Sequence, residues 1–372
     1  MKVVLTGGGT GGHIFPLIAV ERKLKEKMVS NVEFLYIGSG NKLEKDVMEK
    51  EGIKAVYVMS GKMRRYFSFQ NVVDFFKVPV GFVQSLWILL KYMPDVIFSK
   101  GGYVAVPVIL AAWFYRIPVL IHESDATPGY ANQLLEKFSK RVVIAYPSAQ
   151  AYFEKSKTAL FGNPVREDIS KGDKEAGRKF FNFSESKQTI LVMGGSQGSK
   201  AINEAIIRIL PKLLARFQVI HQTGEEGYEN IVHLAGEFGI KAGREGYYPM
   251  KFLDEEILKN AYALADLVIS RAGANTIADI AANKKASILI PLESSANDHQ
   301  RMNAYDIAKI GGTIVLEESN LGQHIFLEKI EKIFDDENLK NSLAQNIQAF
   351  HHPQAAENIA NGLMEIASKL ED

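Results

Sequence analysis

Near its start the chain carries GGGTGGH, Gly7 to His13, between a short apolar run (Val3, Val4, Leu5) and an amphipathic stretch that begins at Ile14. Five of these seven residues lack a Cβ, so the backbone can turn tightly and approach a ligand closely. A strand, a glycine turn and a helix in this order leave the first helical N–H groups unpaired and partially positive, a pocket for an anion or a crowded polar group. What sets the turn apart is a titratable imidazole, His13, where the helix opens. A second turn of the same kind, GGSQGS at Gly194 to Ser199, follows the apolar run Ile190 to Met193. Two such turns in 372 residues, too many for one ordinary core, predict two nucleotide-type domains with a cleft between them.

Short β-branched runs alternate with longer amphipathic stretches throughout. Strands are predicted at 2–5, 32–37, 54–58, 96–98, 119–122 and 142–145, then at 189–193, 218–222, 247–251, 267–270, 287–291 and 312–316. Helical patterns lie among them, for example at 14–27, 105–115, 201–214, 276–282 and 300–310. This alternation predicts an α/β protein with parallel sheets covered by helices on both faces, whose ligands sit beyond the C-terminal strand ends. The domain boundary is placed at GNPVR, Gly162 to Arg166, giving domains over 1–162 and 163–351, with 172–188 read as a polar connection. Ile359, Leu363, Ile366 and Leu370 have helical spacing, so about 352–372 reads as a terminal helix that folds back on the first domain.

Composition excludes several classes. There is no cysteine, hence no disulfide or thiolate zinc site, which fits a reducing compartment. A net charge of +1 gives no polyanion signal, so no nucleic-acid partner is expected. The apolar run before Gly7 is too short for a signal-peptide core, and a cytoplasmic location is expected.

Gly7, Gly9 and Gly12 also satisfy the dinucleotide fingerprint, but that fingerprint needs an acid at the end of the second strand. Here the strand ends Tyr36-Ile37-Gly38-Ser39, and Glu33 sits too early. Neither glycine turn has the Gly-Lys-Ser/Thr ending of a P-loop. A third reading, glycines that serve only close helix–strand packing, leaves His13 unexplained.

Seven motifs occur in a fixed order: GGGTGGHIFP, FSKGGYVAVP (Phe98–Pro107), HESDATPGYAN (His122–Asn132), GNPVR, MGGSQGS (Met193–Ser199), SRAGANTIADI (Ser270–Ile280) and NDHQRMNA (Asn297–Ala304). In this the chain resembles the MurG family, glycosyltransferases that add N-acetylglucosamine to a lipid-linked muramyl-pentapeptide in peptidoglycan synthesis. The resemblance implies a GT-B fold, two Rossmann-like domains with parallel sheets facing across a cleft. It implies UDP-N-acetylglucosamine and the lipid-linked muramyl-pentapeptide as partners, inversion at the anomeric carbon, and a peripheral position on the cytoplasmic face of the plasma membrane. No obligatory cofactor is implied, and Mg2+ stimulation is left open. A related GT-B transferase, a UDP-N-acetylglucosamine epimerase and a non-catalytic sugar-nucleotide-binding partner are the alternatives.

An inverting sugar transfer needs a base for the acceptor hydroxyl, charge stabilisation for the nucleotide leaving group and a firmly held sugar. His13 is the candidate base, since its ordinary pKa lies near neutrality and a helix N-terminus favours the neutral form. His122-Glu123 is the candidate helper; Glu123 can orient His13, act as the base itself or bind the muramyl sugar. With no D-x-D metal motif, stabilisation of the diphosphate is assigned to Gly195, Ser196 and Gln197 in the second turn and to the guanidinium of Arg166. By resemblance, Thr10, Gly11 and Gly12 join the donor site, Phe252 and Leu253 form the uracil pocket, and Asp279 stands where the family usually has a ribose-gripping Glu. Ala274, Asn275 and Thr276 form a small-residue turn for diphosphate or sugar, and Gln300 matches the glutamine that binds the sugar hydroxyls. Arg301 replaces a second glutamine of some members. Gly101, Gly102, Tyr103 and Asp125 fall on the acceptor side, with Asp125 in place of a common Asn.

The segment Phe67–Met93 is strongly apolar, yet its uncharged run Val78 to Leu90 is short of the about 20 residues a membrane span requires. Cations flank it at Lys62, Arg64, Arg65, Lys77 and Lys91. With the resemblance, Phe75, Phe76, Phe82, Lys77, Arg64 and Arg65 read as a patch for an anionic membrane surface. Pro79 is expected to divide the segment and leave Leu86–Leu90 in the core.

Overall fold

The computed structural model describes residues 1–8, 11–28, 31–61, 69–195 and 197–368, the side chains of 69–76, 167 and 296 excepted. The chain divides into two compact units, Met1–Arg166 with His352–Asp372, and Glu167–His351. Arg166 therefore closes the first unit rather than opening the second.

In the first unit seven strands form one wholly parallel sheet. In chain order they are β1 (Lys2–Thr6), β2 (Glu33–Gly38), β3 (Lys54–Tyr57), β4 (Val96–Ser99), β5 (Val119–Glu123), β6 (Arg141–Ile144) and β7 (Thr158–Leu160). Their spatial order is β3-β2-β1-β4-β5-β6-β7. Val3, Val4 and Leu5 are all fully buried, because a central parallel strand is covered on both faces. On one face Val3 and Leu5 meet Leu17 and Val20 of the helix Gly11–Met28 and Ile359 and Leu363 of the terminal helix Ala355–Ser368. On the other, Val4 and Ile97 meet Leu89 of the helix Phe69–Tyr92 and Val108 of the helix Ala105–Phe114.

The second unit repeats the plan with β8 (Gln188–Met193), β9 (Phe217–Gln222), β10 (Tyr247–Met250), β11 (Leu267–Ser270), β12 (Ala286–Leu289) and β13 (Ile314–Val315), ordered β10-β9-β8-β11-β12-β13 and all parallel. Each sheet thus reverses its direction of winding once, between β1 and β4 and between β8 and β11. These are the switch points at which α/β sheets bind ligands.

Three expectations need correction. The stretch 172–188 is more than a connection: Asp173 caps the helix Lys174–Phe181 through the N–H groups of Glu175 and Ala176, and Phe181 is buried. Pro79 does not divide its segment, which is one helix from Phe69 to Tyr92. A proline forfeits a single N–H bond, and here the turn after it is anchored by Gly81 packing on the Met59 carbonyl and by Gln84 Oε1 accepting the Met59 N–H at 2.8 Å. Nor do Leu86–Leu90 enter the core together, since Leu89 is buried while Trp87 and Leu90 are exposed. Strand β7 has no apolar run long enough to be recognised in the sequence.

Candidate active site

In the first unit Thr6 pairs with Ser99, so the segments that begin at Gly7 and Lys100 leave the sheet side by side. Gly7 is pinned from behind by the buried Tyr36 hydroxyl, which donates to its carbonyl at 2.6 Å. A Cβ on Gly7 would lie 2.9 Å from Lys100 Cβ, and one on Gly102 would lie 3.6 Å from His13 Nε2. The fold thereby brings His13, Gly101 and Gly102 to one sheet edge. Gly101 has φ +75°, and any side chain there would collide with the Asn132 carboxamide. Tyr103 packs against the core beneath it.

Glu123, at the end of β5, is only 4% exposed. Its carboxylate accepts the N–H groups of Asp125 (3.0 Å) and Gly129 (3.1 Å) and the Asn132 side-chain amide (2.9 Å). It therefore ties down the turn that follows the strand. Burial first, then the neighbouring Asp125, raises its pKa. His122 lies one residue earlier, with Nδ1 2.5 Å from Lys100 Nζ and Nε2 2.9 Å from the Gly162 carbonyl oxygen. Burial and the adjacent ammonium hold the His122 pKa well below its ordinary value. Burial pulls Lys100 down to about 8, opposed by Glu123 and Asp125. Arg166 places its guanidinium over the Phe15 ring at 5.0 Å, close to His13 along the same helix.

In the second unit Met193 pairs with Ser270, so the turns starting at Gly194 and Arg271 also emerge together. The helix Lys200–Arg216 starts behind the first turn, capped by Ser199. The helix Ala274–Ala282 starts behind the second with Gly273 at its N-cap and no side-chain cap, which puts the positive end of the helix at this sheet edge. Gln222, at the end of β9, donates to the Gly195 carbonyl at 2.8 Å and accepts the Leu253 N–H at 3.2 Å. It joins the glycine turn to the segment that holds Phe252 and Leu253, of which Phe252 is half exposed and Leu253 buried. Arg271 pairs with Glu318 at 3.0 Å and donates to the carbonyls of Ile290 and Pro291, fixing the end of β12. Gln300 accepts the Leu292 N–H at 3.1 Å. Asp279 is buried within its helix, and Asn275 and Thr276 stand half-buried in the first turn of that helix.

Two parallel-sheet units, each with glycine turns at its switch point, form a plan that suits nucleotide binding, and comparison with known proteins identifies the family. Residues 3–144 match the glycosyltransferase family 28 N-terminal domain, and residues 189–359 match its C-terminal domain. The chain belongs to glycosyltransferase family 28. Curated relatives agree. A UDP-N-acetylglucosamine--N-acetylmuramyl-(pentapeptide) pyrophosphoryl-undecaprenol N-acetylglucosamine transferase of Clostridium perfringens is 44% identical over 334 residues, 89% of this chain and 90% of that protein. The protein of that name from Clostridium tetani is 39% identical over 93% of this chain and 94% of its own. The crystal structure of Acinetobacter baumannii MurG superposes with a TM-score of 0.75 at 25% identity, covering 98% of this chain and 99% of that one. A UDP-GlcNAc 2-epimerase from Neisseria meningitidis reaches 0.71 at 14% identity over 98% and 100%, a likeness of fold alone. The family 28 architecture is thus GT-B-like, with two Rossmann-like domains.

Set against the sequence expectations, the first unit places His13, Gly101, Gly102, Glu123 and Asp125 at the C-terminal edge of its sheet, and the second unit places Gly195, Gln197, Leu253, Ala274 and Asn275 at the corresponding edge of its own. Thr10, Ser196, Lys62, Arg64 and Arg65 lie outside the described residues, as do the side chains of Phe75 and Phe76. Gly11 and Gly12 open the helix that carries His13. Phe82 packs against the core rather than facing outward. Lys100, Asn132, Gln222 and Arg271, which lie beside these positions, are absent from the sequence expectations. A usable signal existed for three of them: each of Lys100, Gln222 and Arg271 is a polar residue ending, or directly following, a buried strand that enters a ligand-side loop.

Proposed function

We propose that this chain transfers N-acetylglucosamine from UDP-N-acetylglucosamine to the C4 hydroxyl of a lipid-linked muramyl-pentapeptide, with inversion, in peptidoglycan synthesis. The observation that carries this reading is the 44% identity to a curated transferase of that name over nine-tenths of both chains. The site chemistry is in keeping with it. His13 takes the C4 hydroxyl proton as that oxygen attacks the anomeric carbon, and the bond to the nucleotide diphosphate breaks. Glu123 is set apart from this role, since three donors already occupy its buried carboxylate; it holds the acceptor-side turn. Stabilisation of charge on the departing diphosphate is assigned to the glycine turn at Gly195 and Gln197, to the helix start at Ala274 and to the Arg166 guanidinium. The Gln300 carbonyl is engaged, so its NH2 end is the partner for a sugar hydroxyl, while Asp279 accepts from the ribose and Phe252 and Leu253 enclose the base. The deciding assay supplies labelled UDP-N-acetylglucosamine and a short-chain lipid-linked muramyl-pentapeptide. Disaccharide product supports the transferase; a new sugar epimer from donor alone, or binding with no turnover, overturns it.

Gln222→Ala removes both hydrogen bonds that join the glycine turn to the uracil-side segment. Donor affinity should fall about tenfold, roughly 1.4 kcal/mol, with acceptor KM unchanged. Titration calorimetry with UDP checks this, and an unaltered Kd would show the two segments to be independently ordered.

Attachment to an anionic membrane face belongs to the same reading. Val80, Val83, Trp87 and Leu90 recur at helical spacing on Phe69–Tyr92, and Val83 and Trp87 are 63% and 70% exposed. The neighbouring helix Ala105–Phe114 adds exposed Trp113 and Phe114, beside a cavity also lined by Arg116, Lys137, Lys140 and Arg141. An apolar stripe with cations beside it suits a peripheral attachment. No described helix is long and apolar enough to cross a membrane. Replacing Val83 and Trp87 by Ser should reduce co-sedimentation with phosphatidylglycerol vesicles by about tenfold or more; full retention would exclude this stripe.

A further inference from the structure

Lys100 takes no part in the chemistry above, yet it is 2% exposed and lies directly behind the first glycine turn. An ammonium carries only donors, so His122 Nδ1, 2.5 Å away, must accept from it. The imidazole proton then resides on Nε2, where the Gly162 carbonyl accepts it at 2.9 Å. The other tautomer would set N–H against the ammonium and a lone pair against the carbonyl, leaving buried groups unsatisfied. Gly162 is itself closely enclosed. Its φ is +84°, and a side chain there would collide with the ring of His352, the residue at which the chain re-enters the first unit. Next to His122 sits Glu123, whose three donors suit an ionised carboxylate; a buried carboxylate needs a counter-charge, and the buried Lys100 ammonium is a cation that acts on it electrostatically.

Resting on the transferase reading, we propose that Lys100 is a positioning residue of the acceptor-side site: its ammonium selects the Nε2–H tautomer of His122, which clamps the Gly162 carbonyl, and balances the Glu123 carboxylate that orders the turn from Asp125 to Asn132. Lys100 acts through these groups and touches no reacting atom.

The test uses the full chain. Nitrogen-15 spectra of the wild-type histidines, assigned with His122→Asn, should show His122 as the Nε2–H tautomer on both sides of neutrality. Lys100→Met keeps the stem and removes the charge. It should lower kcat/KM for the lipid-linked acceptor about tenfold or more, leave UDP affinity unchanged and give His122 a mixture of tautomers. Lys100→Met combined with Glu123→Gln should lose less than the two single changes together, because the charge balance is restored. A wild-type His122 found as Nδ1–H or imidazolium overturns the proposal even if Lys100→Met does not fold. Unchanged acceptor kinetics in Lys100→Met with an unaltered His122 spectrum overturns it as well. The spectra do not depend on turnover, so absent product with His122 as stated would sink the transferase reading and leave the pinning intact.

Discussion

His13→Ala should lower turnover by about 10²–10⁴-fold while leaving UDP-N-acetylglucosamine affinity and thermal stability nearly unchanged. The expectation rests on what surrounds the other candidate bases. His122 has both ring nitrogens occupied, by Lys100 and by the Gly162 carbonyl, and Glu123 is buried under three donors. His13 stands at the start of its helix, with Nε2 against the Gly102 backbone at the sheet edge. The loss should appear in kcat, because a general base acts in the transition state and not in donor binding. Steady-state kinetics with both substrates, set beside a UDP titration, make the separation. A variant with full kcat would move the base elsewhere, and one that unfolds would make His13 a structural residue.

Gly198→Ala carries the second large effect, on the donor half. Gly198 has φ +78°, and a Cβ there would collide with the Thr223 carbonyl oxygen, a backbone atom that cannot swing aside. Left-handed strain of about 1–2 kcal/mol adds to overpacking of about 1–3 kcal/mol. The cost is met either by unfolding or by displacing the turn whose Gly195 carbonyl Gln222 holds. Both routes weaken nucleotide binding. UDP titration and thermal denaturation should show loss of donor affinity with a lowered Tm, and a variant with wild-type values for both would mean the turn has slack that the geometry denies. Gly195→Ala is the control: φ is also positive, +91°, but among the described residues nothing stands where the Cβ would go. It should show the strain and not the collision.

Much of this was legible in the residues. Alternating β-branched and amphipathic runs specify parallel α/β units because buried strands and one-sided helices are what such runs can satisfy. The glycine turns mark their ligand edges because only glycine allows the backbone so close. The segments that deceived did so for local reasons. Residues 172–188 look like a linker because their helix is largely charged and is anchored by few apolar residues, Phe181 among them. Pro79 looks like a break because its missing N–H is visible in sequence, whereas Gly81 packing on Met59 is not.

The chain order of motifs carried the family, the two-unit plan and His13 at a helix start. Only the folded structure decided that Glu123 faces inward, that Lys100 and His122 meet although 22 positions apart, and that Gln222 spans two loops. Such pairings depend on the order in which strands lie side by side. That order is chosen by the packing of whole sheets, and no stretch of neighbouring residues encodes it.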